Sequence, residues 1–332
     1  METDHRHLRI LSLDGGGTKG YTSLLILKRI LQTIMIQHCL PKEPLPCEVF
    51  DFIAGASTGG LIAIMIGRLR MTIDECLGQY EKIGLRVFGQ GRPFRHAARP
   101  AVYDIRVLQS EIRRLLVEQG RDEDEMFMEG GQPDCKVRID GKVDMLRNYM
   151  PSHPTQKNKK CTILEAASAT AAAPLLFEPV KLPGSSIERY GGGLLQNNPI
   201  IETGCEATRE MEMEEAWAGR EIGCVVSIGA GIASAQSVPS NIGSPLKDIV
   251  QIMADSEDTA ESFSQSGLGE ELKRANRYFR FNMPHDMAML QMDECQSMER
   301  IRIDTMNYLH SSEVQGDIWD CANDLVNYLA ST

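Results

Sequence analysis

The sequence predicts an α/β fold with a mostly parallel central sheet. Two stretches carry that reading, and a third supports it. Leu8 to Leu13 is a short apolar run that ends in Asp14-Gly15-Gly16-Gly17-Thr18-Lys19-Gly20, and Tyr21 to Gln37 then repeats apolar residues at a helical period. Phe50 to Ala54 is a second apolar run; it enters Gly55-Ala56-Ser57-Thr58-Gly59, and a further apolar run follows from Leu61 to Gly67. Each reads as strand, tight loop, helix. Val225 to Ile228 is a third buried strand, closed by Gly229-Ala230-Gly231. In an open α/β sheet, loops at the carboxyl ends of neighbouring strands meet in one crevice.

The second loop has a residue suited to chemistry. In Gly-x-Ser-x-Gly the serine stands at the apex of a sharp strand-to-helix turn, and the glycines remove side chains where strand and helix pass closely. Ser57 is therefore a candidate nucleophile, next to a helix N-terminus that favours developing negative charge. Taken alone the pattern is common and equally describes a harmless turn. The first loop adds weight. Consecutive glycines can turn several N–H groups into one concavity beside a helix N-terminus, which makes an anion site. The anion could be a nucleotide phosphate or the oxyanion of a tetrahedral acyl intermediate. Asp-Gly-Gly-Gly-Thr-Lys also resembles the phosphate loop of the sugar-kinase and actin-like ATPase fold, with Ser227 to Gly231 as a weak adenosine loop. It is not a Walker A motif, and no acidic residue follows at the spacing a dinucleotide fingerprint needs.

Composition narrows the function classes. The chain has 332 residues, 42% hydrophobic and 24% charged, as in a soluble globular protein. A net charge of -11 argues against a nucleic-acid partner and, more weakly, against standing attachment to anionic membranes. Nine cysteines without a Cys-x-x-Cys pair point to reduced thiols, and no histidine pairing has metal-ligand spacing. Met1 to Leu8 lacks an apolar signal core, and no run approaches the ~20 residues of a membrane span. The expectation is a cytoplasmic protein with no cofactor and no metal, whose contact with membranes is at most peripheral; oligomeric state stays open.

Helices are expected over Met71 to Phe88, Ile105 to Glu118, Glu165 to Ala173 and Arg209 to Gly219, the last as a charged surface helix in which Met211 and Met213 lie exposed beside glutamates. Residues 135 to 160 should hold a strand, and Tyr278 to Asn282 another. Gly120 to Gln132 reads as a mobile acidic loop, Gly89 to Pro100 as a basic loop, and Ser234 to Ser244 as a linker. With no fixed-period repeat, 1–332 reads as one domain, with core motifs over 8–231 and a C-terminal helical part over 245–332.

The order and spacing of these motifs resemble the patatin-like phospholipases, and more narrowly their fungal type. Asp14 to Gly20 followed by Gly55 to Gly59 carries the likeness. It extends through Leu61 to Cys76, Cys161 to Pro174, Gly192-Gly193 with Asn197-Asn198-Pro199, and Val225 to Gly229. The resemblance implies a three-layer sandwich with helices on both faces of the sheet. It implies lipid acyl hydrolysis by a Ser-Asp dyad, acting on a lipid or small acyl ester. Ser57 becomes the nucleophile. Gly15, Gly16 and Gly17 supply oxyanion-hole N–H groups, and Asp14, Lys19, Gly20, Gly55, Gly59, Gly192 and Gly193 support the motifs. The pocket would be lined by the helix after Ser57 and by the Ala166–Ala173 helix.

The pattern breaks at one place. The family's dyad aspartate falls on Gly191, and glycine supplies no base. General-base assistance contributes roughly 10²–10⁴ in rate, so the expectation is impaired ester hydrolysis. Lys19 stands where the family has Arg, Ser168 where the fungal pattern has Arg, and Ala230 where it has Thr. Three readings follow: a lipid-binding protein that has lost its base, a hydrolase with a substitute base among Asp14, Glu188 and His153, or a transferase or cyclase in the old pocket. Asp14 itself is expected to brace the glycine loop by accepting backbone N–H bonds.

Overall fold

The computed structural model describes residues 7–88, 103–140, 145–153, 158–172, 177–182, 188–189, 197–213, 221–231, 256–283 and 298–326. Its centre is a six-stranded sheet of β1 (Leu8–Leu13), β2 (Phe52–Ala56), β3 (Lys136–Asp140), β4 (Met145–Arg147), β7 (Ile222–Ile228) and β8 (Tyr278–Phe281). The spatial order is β4-β3-β2-β1-β7-β8. Every pairing is parallel except the edge pair β3–β4. A two-stranded ribbon, β5 (Val180–Lys181) with β6 (Glu188–Arg189), lies apart from it.

Buried parallel strands must be covered on both faces, and here the covers differ in thickness. One face packs against α1 (Gly20–Gln37), α3 (Thr58–Ala63), α4 (Ile73–Phe88), α5 (Ile105–Glu118), α6 (Ile163–Ala171), α10 (Met298–Leu309) and α11 (Ser312–Val326). Leu11, Leu13, Ile53, Val137, Ile139 and Val226 point into this larger core. The other face is covered by α7 (Ile200–Met213), a helix over residues 256–264 (α8) and α9 (Gly267–Arg274), which bury Leu8, Ile10, Phe52 and Val225. The alternation along β1 of Leu8 and Ile10 against Leu11 and Leu13 divides the two cores. Each such side chain contributes about 1.5–3 kcal/mol when fully buried.

Local signals place the helices. Thr162 accepts from the Glu165 N–H at 3.1 Å while the Glu165 carboxylate accepts from the Thr162 N–H at 2.8 Å, a capping box that starts α6. Thr72 and Glu75 repeat the device before α4. The short α2 (Pro46–Val49) carries proline in its first turn, where no N–H is missed. After α3 the chain widens into a π-turn over Ile64–Arg68.

Several expectations need correction. The acidic loop Gly120 to Gln132 is tied down: Arg68 donates to the carbonyls of Phe127 at 2.9 Å and Met126 at 2.9 Å, and pairs with Glu125 at 2.7 Å. Among the described residues, 135–160 hold two strands, β3 and β4. The charged surface helix starts earlier, at Ile200, and one of its faces is buried: Glu206 and Glu210 are 2% and 1% exposed, whereas Met213 lies on the surface. Charge alone suggested solvent there, but the opposing strand face is charged as well. The basic stretch 89–100 and the 234–244 linker lie outside the described residues.

Candidate active site

Ser57 stands between β2 and α3 with φ 53° and ψ −123°. A positive φ is unfavourable for a residue with a Cβ, and such strain gathers at functional sites. The neighbours enforce it. A Cβ on Gly55 would collide with the Gly59 and Gly60 backbone, and one on Gly59 would collide with the carbonyls of Leu13 and Asp14. Strand, elbow and glycine loop are thus in backbone contact. Thr170 on α6 donates to the Ser57 carbonyl at 3.2 Å, a fixing bond that spacing along the chain could not reveal. Ser57 itself is nearly buried, 9% exposed.

The glycine loop lies directly over the elbow. A Cβ at Gly15 would sit 2.8 Å from Ser57 Cβ. Gly17 has φ 59°, the left-handed region where glycine is favoured. Gly20 leaves room for the Tyr80 hydroxyl, which donates to the Gly17 carbonyl. Two of the three amides read as oxyanion donors are already used in this structure: Gly15 N–H donates to the Asn197 carbonyl at 3.0 Å and Gly16 N–H to Thr58 Oγ1 at 3.1 Å. Gly17 N–H has no acceptor among the described residues. An oxyanion reaching Gly16 must first displace the Thr58 hydroxyl.

The Asn-Asn-Pro segment seals the other side. Asn197 Nδ2 donates to the Gly15 carbonyl at 2.9 Å and to Ser256 Oγ at 2.8 Å; Asn198 Nδ2 donates to the Ser256 carbonyl at 3.2 Å, and its Oδ1 accepts from Ile200 N–H at 3.1 Å at the start of α7. Gly191, Gly192 and Gly193 lie outside the described residues, as does the side chain of Glu188.

Asp14 does not brace the loop in the expected way. Its carboxylate accepts the guanidinium of Arg280 on β8, at 3.2 and 2.7 Å, in a two-pronged pair. Arg280 is shared with Glu257 of α8 and also donates to Ser227 Oγ at 2.8 Å. Burial is the largest influence on Asp14 and raises its pKa to about 6, against the pull of Arg280. A carboxylate held by a guanidinium is poorly placed to serve as base for Ser57. Lys19 is buried beside the loop, and burial lowers its pKa to about 8. Ser168, also buried, donates to the Leu164 carbonyl at 2.7 Å within its own helix. Ala230 packs where a Cβ on Gly16 would fall.

An apolar slot of about 30 Å³ opens beside Thr18 and Thr58. Leu61 of α3 and Ala171 of α6 line it, the two helices expected there, and Tyr80, Ile83, Leu108 and Phe177 complete it. The volume suits one or two waters, so an acyl chain must part these side chains to enter.

Ser57 thus stands strained between strand and helix, beneath the glycine loop and beside an apolar slot. Comparison with known proteins gives the family. The model of the patatin-like phospholipases matches residues 11–203, and the chain belongs to that family. Calcium-independent phospholipase A2-gamma of Rattus norvegicus is 28% identical over 93% of this chain and 39% of its own length. Phospholipase A I of Arabidopsis thaliana is 27% identical over 86% of this chain and 25% of its own. The cGAMP-activated phospholipase of Vibrio cholerae is 26% identical over 63% of this chain and 61% of its own. The chain thus spans about two fifths or less of the first two relatives. The solved structure of VipD from Legionella pneumophila aligns over 98% of this chain and 67% of its own at 12% identity, with a TM-score of 0.39.

Proposed function

We propose that the chain is a lipid acyl hydrolase of the phospholipase type that works through an acyl-enzyme at Ser57, and that Gly191 weakens it. The observation that carries this reading is the strained φ of Ser57 directly beneath the glycine loop. Ser57 Oγ attacks the ester carbonyl, and with no base at Gly191 its proton passes to a water molecule, which later delivers it to the leaving alcohol. The carbonyl oxygen becomes an oxyanion facing Gly17 N–H and the Gly16 N–H once Thr58 yields it. Collapse expels the alcohol, which takes a proton, and leaves the acyl chain on Ser57. Water then attacks the acyl-enzyme and releases the carboxylic acid. The names of the relatives support a phospholipid as the substrate class. With the family established, the ATP-binding alternative falls away.

The weak point of this cycle is the first proton transfer. Gly191 occupies the family's dyad position, so the expected rate deficit is roughly 10²–10⁴. The same residue favours a second reading, a lipid-binding protein without turnover. Hydrolysis of phosphatidylcholine vesicles and covalent capture by a fluorophosphonate probe separate the two. Slow hydrolysis, slow labelling at Ser57, loss of both in Ser57→Ala and a gain in Gly191→Asp are expected. Robust hydrolysis that Gly191→Asp leaves unimproved would defeat the lost-base account. A protein that binds vesicles yet never labels is the pseudoenzyme.

A further inference from the structure

On a face of α4 neighbouring that of the acyl slot lies a second, larger cavity. It is a half-open cleft of about 440 Å³ between α1, α4 and α10, within the range of small-molecule sites. Leu25, Leu77 and Leu309 give it apolar wall, while Lys28, Arg29 and Arg302 bring basic groups to it. Its two acids are already engaged. Asp74 pairs with the Lys28 ammonium, and Glu81 accepts from the Tyr21 hydroxyl at 2.7 Å. The two arginines are far less committed. Arg302 makes only a 3.9 Å approach to the exposed Glu299, and Arg29 has no carboxylate partner among the described residues. Among the lining side chains, Lys28, Arg29 and Arg302 against Asp74 and Glu81 leave one positive charge in excess facing apolar wall, with Glu299 and Glu43 close by.

Gly78 provides an independent observation. It lies inside α4, lines the cavity, and has nothing within 4 Å of the place its Cβ would take. Glycine inside a helix is less favourable than nearly any other residue, and no neighbour here demands it. What a side chain at position 78 would do is fill the cavity.

We infer that this cavity binds a single-chain amphiphilic anion, a long-chain carboxylate, at a site separate from Ser57. The carboxylate sits between Arg29 and Arg302, where a guanidinium's planar fork matches its geometry, and the chain lies along Leu25, Leu77 and Leu309. The two sites share one helix: Leu77, Gly78 and Glu81 face this cavity, whereas Tyr80, Ile83 and Gly84 line the acyl slot. The assignment does not depend on hydrolysis at Ser57.

Titration calorimetry of the full chain with sodium dodecanoate below its micelle concentration tests this. Expected is saturable one-site binding, unchanged in Ser57→Ala. Gly78→Leu should weaken it at least tenfold, and so should the double variant Arg29→Gln with Arg302→Gln, each with a thermal melt like that of the unmodified chain. Dodecanol and inorganic phosphate should each bind at least tenfold more weakly than dodecanoate. The inference is overturned by the absence of saturable binding, by dodecanoate affinity that survives both sets of substitutions, or by equal affinity for dodecanol or for phosphate alone.

Discussion

Two buried carboxylates in this molecule are held in opposite ways. Glu206 on α7 accepts two bonds from Arg147, one from Tyr149, and pairs with Arg138 at 3.2 Å. Burial pushes its pKa up, but the Arg147 hydrogen bonds, the Arg138 and Arg147 charges and the Tyr149 bond outweigh it and hold the carboxyl below its usual range. Asp14 has one guanidinium, and it shares that with Glu257. Burial wins there, and its pKa rises to about 6. Depth is similar in the two cases, 2% against 1% exposed. The number of donors per carboxylate decides the sign. Glu206 anchors the helix that follows Asn-Asn-Pro, and Asp14 anchors the glycine loop. One anchor of the site is therefore insensitive to mild acid and the other titrates near neutrality.

The comparison can be broken most directly at Glu206. Glu206→Ala strands Arg147 and part of Arg138 in the interior, and a loss of about 3–5 kcal/mol is expected in urea unfolding. A loss under 1 kcal/mol would mean the network is only ornamental to stability. Arg280→Met should cost less, about 2 kcal/mol, because Asp14 can escape by taking a proton and Glu257 is partly in water. Its cost should also be smaller at pH 5 than at pH 8, and its fluorophosphonate labelling should slow as the glycine loop loosens. An equal cost at both pH values would remove the titrating-anchor idea.

Asp14 sharpens the point. Its folded pKa, about 6, exceeds the ordinary aspartate value of 3.8, so the folded chain keeps a proton that the unfolded chain releases. That contribution to stability is complete below about pH 4 and is lost as pH rises through 6. Asp14→Asn should flatten this part of the profile, gaining up to about 3 kcal/mol on the unmodified protein between pH 4 and pH 8. Stability curves that stay parallel over that range would contradict it. The smallest effect is expected at Thr170. Thr170→Val removes the bond to the Ser57 carbonyl at nearly constant volume, at about 1 kcal/mol. Its labelling rate should fall more than its melting temperature suggests, since the lost bond fixes the elbow.

Local parts of this site were legible in the sequence and distant ones were not. The elbow around Ser57 and the loop from Asp14 to Gly20 are each written in a few adjacent residues, because backbone crowding and positive φ leave glycines as a trace. The strand limits Leu8 to Leu13 and the helix through Gln37 follow from apolar spacing alone. Asp14 was assigned to its own loop because its real partner, Arg280, is 266 positions away. Thr58, which holds the Gly16 amide, and Thr170 leave no pattern at all, since one hydroxyl in a helix looks like any other. The α7 face was misread for a related reason. Glu206 and Glu210 look solvated until Lys136, Arg138 and Arg147 are placed opposite them.

The pairing of Asp14 with Arg280 also sets an order of events during synthesis. Asp14 and Arg280 are 266 positions apart, so the elbow and the glycine loop emerge long before the clamp on that loop, which is on β8. A growing chain that has not yet released residue 280 from the ribosome has Ser57 and lacks the grip that shapes its surroundings. Long-range closure of this kind is slow, since loop entropy must be overcome before the contact forms. Ser57 thus comes under its finished geometry only once β8 has been made and has paired with the rest of the sheet.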